Sequence, residues 1–216
     1  MKTFWLNKYK SIVIEGPIGV GKTSLTKKIA KIFSIPTLLE AAEENPFLEK
    51  FYLDSKKFAL QTQLFFLFQR LDQIQHHLQR DLFAENTISD FMLEKDPIFA
   101  TLTLNDEELF LYQKIYQSQI TNLTRPDLVI YLQAEPIQLY ERIKKRGNPI
   151  ELNISSQYLH NLCSAYNKFF YQYSDAPILV VNTASFNPID NEKDFDSFIN
   201  QIGSLKGKRT FFNSTR

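Results

Sequence analysis

Short apolar runs alternate along this chain with longer segments that carry an apolar residue at every third or fourth position. Short runs rich in β-branched and aliphatic residues are typical of buried strands, whereas the wider spacing is typical of helices with one buried face. The predicted strands are Ile12–Ile14, Thr37–Glu40, Thr87–Phe91, Asp127–Leu132 and Ile178–Val181. Because strands that alternate with helices form parallel sheets covered on both faces, we predict a three-layer α/β fold with a five-stranded parallel sheet.

Residues that cap helices mark the ends of the intervening segments. Proline suits a first helical turn, asparagine and serine suit the position before it, and glycine suits the position after the last turn. The first predicted helix follows Lys22, a second begins near Asn45, and a third runs from Lys57 to about Ala84. A fourth starts at the cap Asn105, and a fifth runs from Pro136 to near Gly147. A sixth runs from Ser155 or Ser156 to Tyr173, and the last ends near Gly203. These helices fill the gaps between the predicted strands, as the alternating layout requires.

Composition narrows the class of protein without changing this layout. The 216 residues, of which 44% are hydrophobic, suit one domain over residues 1–216 with a sizeable core. With a net charge of +1, the chain lacks the excess of basic residues that is typical of proteins that bind nucleic acid. The lone cysteine, Cys163, excludes an internal disulfide and suits a reducing compartment. Since no apolar run resembles a signal peptide or a membrane helix, we expect a cytoplasmic protein with no membrane partner.

Three of the six glycines fall within one turn, between the first predicted strand and a helical pattern. The spacing of Gly16, Gly21, Lys22 and Thr23 is that of a P-loop in its required strand–turn–helix context. Glycines let main-chain N–H groups approach phosphate oxygens, the lysine reaches the β- and γ-phosphates, and the threonine hydroxyl can bind Mg²⁺. The predicted ATP-binding residues are Gly16, Pro17, Ile18, Gly19, Val20, Gly21, Lys22, Thr23 and Ser24. The flanking elements disfavour a chance match, so we predict a P-loop NTPase-like fold that binds a nucleotide.

Two carboxylates end the neighbouring predicted strands. In open α/β sheets, ligands bind outside the carboxyl ends of the strands, where Glu40 and Asp90 are placed. Beside a triphosphate, one carboxylate can hold Mg²⁺ and the other can accept a proton from an attacking hydroxyl. The alternative is that both are simply polar residues at strand ends. The P-loop favours the first interpretation, with Thr23 and Asp90 as the metal-site residues.

The helix that starts at Pro136 ends with four basic residues in five positions, 142–146. Arg142 and Arg146 lie four positions apart and share a helical face. Basic residues at a helix C-terminus ordinarily complement the helix dipole, but one helix end rarely needs four of them. We predict an arginine-bearing lid over the phosphates, at about residues 142–151.

Taken together, these positions resemble the deoxyribonucleoside kinase family, and most closely its bacterial deoxyadenosine/deoxyguanosine kinase branch. The resemblance runs from about Ser11 to Val181, and the tail Gly207–Asn213 is also similar. The segments that carry it are Glu15–Ser24, Glu43–Tyr52, Gln61–Arg70, Asp96–Ala100 and Arg142–Gly147. The order and spacing of these segments are specific, although each motif alone is modest.

The resemblance implies transfer of the γ-phosphoryl group of ATP–Mg²⁺ to the 5′-hydroxyl of a deoxyribonucleoside, preferably a purine, in nucleotide salvage. Glu40 matches the carboxylate that acts as general base beside the 5′-hydroxyl. Tyr52 and Glu151 match the residues that hold the sugar 3′-hydroxyl. Gln63 matches the residue that pairs bidentately with the base, and Arg70 matches a second residue of that pocket.

The resemblance also implies how the donor is held. Lys22 matches the P-loop lysine, Arg142 and Arg146 match lid arginines that act in catalysis, and Asn182 lies in the segment that surrounds the donor adenine. Members of the family are usually homodimers, so we expect a homodimer here.

One departure from the family pattern concerns strand three. Many members carry an acidic residue followed by Arg-Ser at its end, whereas this chain has Asp90 followed by Phe91. Asp90 is the candidate for the acidic position. The contribution of the arginine is either missing or supplied by another residue, for which Lys95 is the candidate.

Two alternatives to a deoxynucleoside kinase are open at this point. A nucleoside monophosphate kinase of the thymidylate kinase type has a similar P-loop and lid, but needs basic residues for the phosphate of its acceptor. A non-catalytic nucleotide-binding relative is supported only by the missing arginine after Asp90.

Overall fold

The computed structural model describes residues 4–80, 85–120 and 125–213, and six strands in these ranges form one parallel sheet. The strands are β1 (Ser11–Glu15), β2 (Thr37–Leu38), β3 (Thr87–Ser89), β4 (Leu128–Gln133), β5 (Ile178–Asn182) and β6 (Arg209–Phe212). Their order across the sheet is β2-β3-β1-β4-β5-β6. The predicted α/β class is confirmed, but the prediction of five strands was wrong, because β6 adds a sixth at one edge.

Helices connect the strands and cover both faces of the sheet. They are α1 (Phe4–Lys8), α2 (Lys22–Phe33), α3 (Leu48–Leu53), α4 (Ser55–Arg80), α5 (Asp96–Thr103), α6 (Asp106–Gln119), α7 (Pro136–Arg146), α8 (Ser156–Gln172) and α9 (Glu192–Ser204). The end predicted for the long helix at Ala84 lies outside the described residues. Among the helices described, none is long and apolar enough to cross a membrane.

Several predicted helix ends have the expected capping groups. The side chain of Asn105 accepts a hydrogen bond from the Glu108 N–H, and the Glu108 carboxylate accepts one from the Asn105 N–H, which completes a capping box. Ser155 caps α8 by accepting a bond from the Tyr158 N–H. Helix α7 ends at Gly147, whose φ of 67° lies in the left-handed region that glycine adopts readily.

The central strands place alternate residues on opposite faces of the sheet. Ile12 and Ile14 of β1 join one buried apolar cluster, whereas Val13 between them joins another on the opposite face. Both faces are covered, so these strands appear in the sequence as continuous apolar runs. A third cluster lies among the helices α3, α4, α5 and α6, and includes Phe51 and Tyr112. It forms one side of the cleft described below.

The elements missing from the sequence prediction are α1, α5 and β6. Strand β6 has a weak pattern of its own, because Phe211 is exposed and Arg209 opens the strand. Its position depends on a distant contact. The Arg209 guanidinium donates hydrogen bonds to the carbonyls of Phe170, at 2.8 Å, and Tyr173, at 2.7 Å, at the end of α8. The last carbonyls of a helix generally lack an intrahelical partner, and a cation near them also complements the helix dipole.

We predict that Arg209→Met lowers the free energy of unfolding by about 2 kcal/mol, because hydrogen bonds that involve a charged group are lost at a partly buried site. Urea denaturation checks this value. Lys208→Met, which changes an exposed neighbour in the same segment, is the control and should change stability little. Equal stability of the two variants would contradict the anchoring role of Arg209.

Candidate active site

A cleft of about 390 Å³ opens at the carboxyl ends of β1 and β2. It is lined by most of the predicted site residues: Ile18, Gly19, Lys22, Thr23, Ser24, Glu40, Tyr52, Gln63, Arg70, Arg146 and Glu151. Residues from the P-loop, from α3 and α4, and from the segment after α7 therefore meet around one space, as the resemblance implied.

The P-loop forms an anion-binding turn between β1 and α2. Gly19 and Gly21 have φ values of 83° and 103°, and α2 begins at Lys22. A helix N-terminus with inward N–H groups is a ready site for phosphate. The Lys22 ammonium donates to the carbonyl of Gly16 at 2.7 Å, so it lies over the turn.

The surroundings of Lys22 favour an added negative charge. Burial lowers the pKa of its ammonium, and the nearby positive charge of Lys95 lowers it further. A phosphate group placed over the turn would stabilise the charged form of Lys22.

Asp90, directly after β3, connects the P-loop helix to the segment that carries Glu40. It is almost fully buried, and one of its oxygens accepts a hydrogen bond from the Thr23 hydroxyl of the P-loop helix. The other accepts from the main-chain N–H of Glu40 at 2.8 Å. Asp90 therefore fixes the segment that carries Glu40 against the P-loop.

Oxygen ligands for a divalent metal are available at this junction. The Thr23 hydroxyl and the Asp90 carboxylate are hard oxygen donors beside the phosphate turn, which is the donor set that Mg²⁺ prefers. Within the described ranges, no three His, Cys, Asp or Glu residues group into a metal cage. The chemistry of Thr23 and Asp90 suits a metal that completes its coordination with substrate phosphates and water.

The Glu40 carboxylate lies between two cations. The Arg70 Nε donates to its Oε1 at 2.7 Å, and the Lys95 Nζ donates to its Oε2 at 3.0 Å. Burial alone would raise the pKa of Glu40, but the charges of Arg70 and Lys95 outweigh it and hold this pKa well below its usual range. The carboxylate is therefore ionised and ready to accept a hydrogen bond.

Arg70 also forms an ion pair with Asp96, a residue that the sequence analysis did not identify as part of the site. The Arg70 guanidinium pairs with the fully buried Asp96 carboxylate, which also accepts a bond from the Tyr112 hydroxyl at 3.3 Å. An acidic residue in the first turn of a helix is ordinarily explained by the helix dipole. The presence of Asp96 in the family-like segment Asp96–Ala100 was the available signal.

The wall of the cleft opposite the P-loop suits an uncharged ligand. Gln63 is 3% exposed, and its amide makes no hydrogen bond with the described part of the chain, although it borders the cleft. Tyr52 lies beside Tyr158, with ring centroids 6.4 Å apart. Burial, with the neighbouring Tyr158 and Glu151, raises the pKa of the Tyr52 phenol, which remains a neutral hydrogen-bonding group.

The two arginines of the predicted lid, Arg142 and Arg146, line different cavities. Arg146 pairs with Glu151 in the main cleft. Arg142 instead donates to the Thr183 hydroxyl at 3.1 Å and to the Thr183 carbonyl at 3.0 Å. It lines a second cavity of about 220 Å³, which Val20, Gly21 and the loop 186–190 also border.

Two residues predicted to bind ATP line a third cavity instead of the main cleft or the second cavity. Asn182, the exposed last residue of β5, lines a separate cavity of about 130 Å³ together with Pro17. The side-chain oxygen of Asn182 accepts a bond from the Ala184 N–H at 2.9 Å. Thr183, the residue directly after Asn182, borders the second cavity instead.

These features define a class of protein. A main-chain cradle for phosphate lies next to an ionised carboxylate, and the space beyond presents neutral hydrogen-bonding groups. This is the arrangement of a P-loop phosphotransferase that moves a phosphoryl group from ATP to a neutral acceptor.

Comparison with known proteins identifies the family. The deoxynucleoside kinase family model matches residues 12–205, and the chain belongs to that family. The deoxyguanosine kinase of Bacillus subtilis is 35% identical, over 93% of this chain and 99% of that protein. The deoxyadenosine kinase of Dictyostelium discoideum is 33% identical, over 88% of this chain and 82% of that protein.

A solved structure leads to the same family. Deoxyadenosine kinase from M. mycoides with bound dATP is similar with a TM-score of 0.78 at 30% identity, over 90% of this chain and 100% of that chain. The predicted family and P-loop-like fold are confirmed, as is the predicted reaction class, ATP-dependent phosphoryl transfer to a deoxynucleoside.

We predict that Gly19→Ala weakens ATP binding by about tenfold or more. A Cβ at this position would lie 2.9 Å from the Ile143 side chain and 3.0 Å from the Leu139 carbonyl oxygen, and the φ of 83° strains any residue with a Cβ. Isothermal titration calorimetry with ATP checks this prediction. Gly203→Ala, in α9 with open space around it, is the control and should bind ATP normally. Unchanged affinity in Gly19→Ala would contradict the role given to the P-loop.

Proposed function

We propose that this chain transfers the γ-phosphoryl group of ATP to the 5′-hydroxyl of a purine deoxyribonucleoside, deoxyadenosine or deoxyguanosine, as a step of nucleotide salvage. The observation that carries the proposal is the position of Glu40, which lines the same cleft as the P-loop residue Lys22 and the unpaired amide of Gln63. The relatives named above, a deoxyguanosine kinase and two deoxyadenosine kinases, support a purine acceptor.

The donor side of the mechanism uses the P-loop and the lid at about residues 142–151. Main-chain N–H groups and Lys22 hold the β- and γ-phosphates, so the γ-phosphorus faces the acceptor. Arg146 lies in the main cleft, where its guanidinium can neutralise charge that spreads over the transferring group. Arg142 borders the second cavity, next to the loop 186–190, and suits the part of ATP beyond the phosphates. In this proposal the segment around Asn182 encloses the donor adenine through its neighbour Thr183.

On the acceptor side, Glu40 orients the 5′-hydroxyl and receives its proton. The bond from the 5′-oxygen to the γ-phosphorus forms, the bond to the β-phosphate bridging oxygen breaks, and ADP leaves. With its pKa held low, Glu40 is a weak base, so we place the proton transfer late, when the attacking oxygen has already lost charge to phosphorus. Positioning then contributes more than basicity to the rate.

Thr23 and Asp90 would hold Mg²⁺ in this proposal. When bound, the metal neutralises charge on the phosphate oxygens. The protein itself contributes the ordered hydroxyl and carboxylate, which Asp90 also ties to the Glu40 main chain. This link lets one residue set the spacing between the donor and acceptor sides.

Base and sugar recognition is assigned to the wall opposite the P-loop. The Gln63 amide can rotate to present its donor and acceptor in either order, so it suits both purines. Arg70 borders the same pocket while remaining paired with Glu40 and Asp96. Tyr52 and Glu151 provide a phenol and a carboxylate for the sugar 3′-hydroxyl.

The contacts of the cleft disfavour a nucleoside monophosphate kinase. Such an enzyme needs cations that are available to the phosphate of its acceptor. Here Arg70, which borders the acceptor pocket, is occupied by two carboxylates. A non-catalytic relative is disfavoured by an ionised Glu40 and by Lys95, which provides a cation although no arginine follows Asp90.

A homodimer in the cytoplasm completes the proposal. Helices α4 and α6 pack together and carry exposed apolar side chains, Phe68 on the first and Phe110 and Leu111 on the second. An apolar surface of this kind suits a self-complementary two-fold contact. Sedimentation equilibrium tests the dimer, and a mass that stays at 25.3 kDa would rule it out.

The proposed cytoplasmic location agrees with the lone cysteine, Cys163. Its thiol is free and buried, which suits a reducing compartment.

We predict that, in the presence of ATP and Mg²⁺, the purified chain phosphorylates deoxyadenosine or deoxyguanosine more efficiently than deoxycytidine or thymidine. A nucleoside panel scored by the monophosphate formed measures this preference. Deoxyadenosine monophosphate and thymidylate are included as acceptors. Activity confined to these monophosphates would replace the proposal with the monophosphate kinase alternative, and ATP binding without phosphorylation of any acceptor would favour the non-catalytic relative.

We predict that Glu40→Gln lowers kcat by about 10²- to 10⁴-fold while leaving the dissociation constant of the nucleoside near normal, because the acceptor for the hydroxyl proton is lost. Rapid-quench kinetics and equilibrium binding separate the two quantities. Glu49→Gln, at an exposed position of α3, is the matched control and should be fully active. An unchanged kcat in Glu40→Gln would remove Glu40 from the role of base.

A further inference from the structure

Lys95 is a charged side chain in an unusual environment. It ends the short 3₁₀ turn Leu93–Lys95, directly before α5, and only 1% of its surface is exposed. Its Nζ lies 3.0 Å from each carboxylate oxygen of Glu40 and 3.6 Å from Oε1 of Glu15. A buried ammonium is unfavourable unless it is paired, so the two carboxylates account for its burial.

Glu15 connects Lys95 to the frame of the P-loop. This fully buried last residue of β1 accepts hydrogen bonds from the main-chain N–H groups of Gly16, at 2.9 Å, and Met92, at 3.0 Å. The Tyr166 hydroxyl donates a third bond at 3.3 Å. Because main-chain groups fix the Glu15 carboxylate, a cation held against it is fixed relative to the phosphate turn.

Arg70 and Lys95 contact the Glu40 carboxylate in different ways. Arg70 approaches Oε1 with both its Nε and a terminal nitrogen. In the described part of the chain, the hydrogen bond to Oε2 comes from Lys95. With Arg70 alone, the carboxylate could pivot about Oε1, whereas two contacts define the plane of the group and the direction of its remaining lone pairs.

We propose that Lys95 is a positioning residue for phosphoryl transfer, which fixes the Glu40 carboxylate between the P-loop strand and the acceptor pocket. This inference rests on the proposed function, since it assigns a role only if Glu40 faces the acceptor hydroxyl. Lys95 acts through Glu40 and Glu15, and the inference needs no contact between Lys95 and substrate.

The experiment compares kcat and KM of wild type, Lys95→Met and Lys95→Arg in the deoxynucleoside kinase assay. We expect Lys95→Met to lower kcat by about 100-fold, the effect of a misplaced catalytic group, with little change in the KM for ATP. Lys95→Arg, which retains the charge, should recover part of the lost kcat. Lys31→Met, at an exposed position of α2, is the control with normal kinetics.

A purely structural lysine would lower the amount of folded protein but leave the kcat of the folded fraction unchanged, and that result overturns the proposal. If Lys95→Met does not fold, the double variant Glu15→Gln/Lys95→Met removes the buried charges as a pair and is read in the same way. A wild-type chain that phosphorylates no deoxynucleoside contradicts the proposed function itself. An active wild type with an unaltered Lys95→Met contradicts only the inference about Lys95.

Discussion

The site depends on the mutual neutralisation of charges that are buried at one edge of the sheet. Glu15, Arg70, Asp90, Lys95 and Asp96 are each at most 3% exposed, and they surround the partly exposed Glu40. Buried ion pairs contribute little to stability relative to apolar packing, and removal of one partner leaves an expensive unpaired charge. A network of this kind is retained where orientation matters more than stability. It holds one carboxylate ionised and in a fixed direction next to a phosphate turn.

The parallel sheet makes this network possible because it brings the carboxyl ends of three strands to one place. β1 leads into the P-loop, while Glu40 and Asp90 follow β2 and β3 within two residues of the strand ends. The helical layer of α3, α4, α5 and α6 then adds the wall that holds Gln63 and Arg70. The sheet thus positions the groups that act on phosphate, and the helices form the wall of the acceptor pocket.

Local signals predicted much of this arrangement, and distant contacts account for the rest. The first strand, the P-loop and α2 are adjacent in sequence and have strict requirements for residue type, so they could be identified from the sequence. Strand β6 pairs with β5 through a segment whose own pattern is weak, and its anchor at the end of α8 is 36 positions away. Asp96 was missed because its partner Arg70 lies on another helix. The roles assigned to individual side chains in the cleft remain predictions.

Helix α7 carries its two arginines into separate spaces, since Arg142 borders the cavity beside the loop 186–190 and Arg146 borders the cleft with Glu151. A rigid rotation of this helix would therefore move both guanidinium groups together. The consequence is mechanical linkage: an elongated molecule that filled both spaces at once would engage both guanidinium groups and so restrain the helix. Bisubstrate compounds built on a polyphosphate spacer are the chemical form that this geometry would accept.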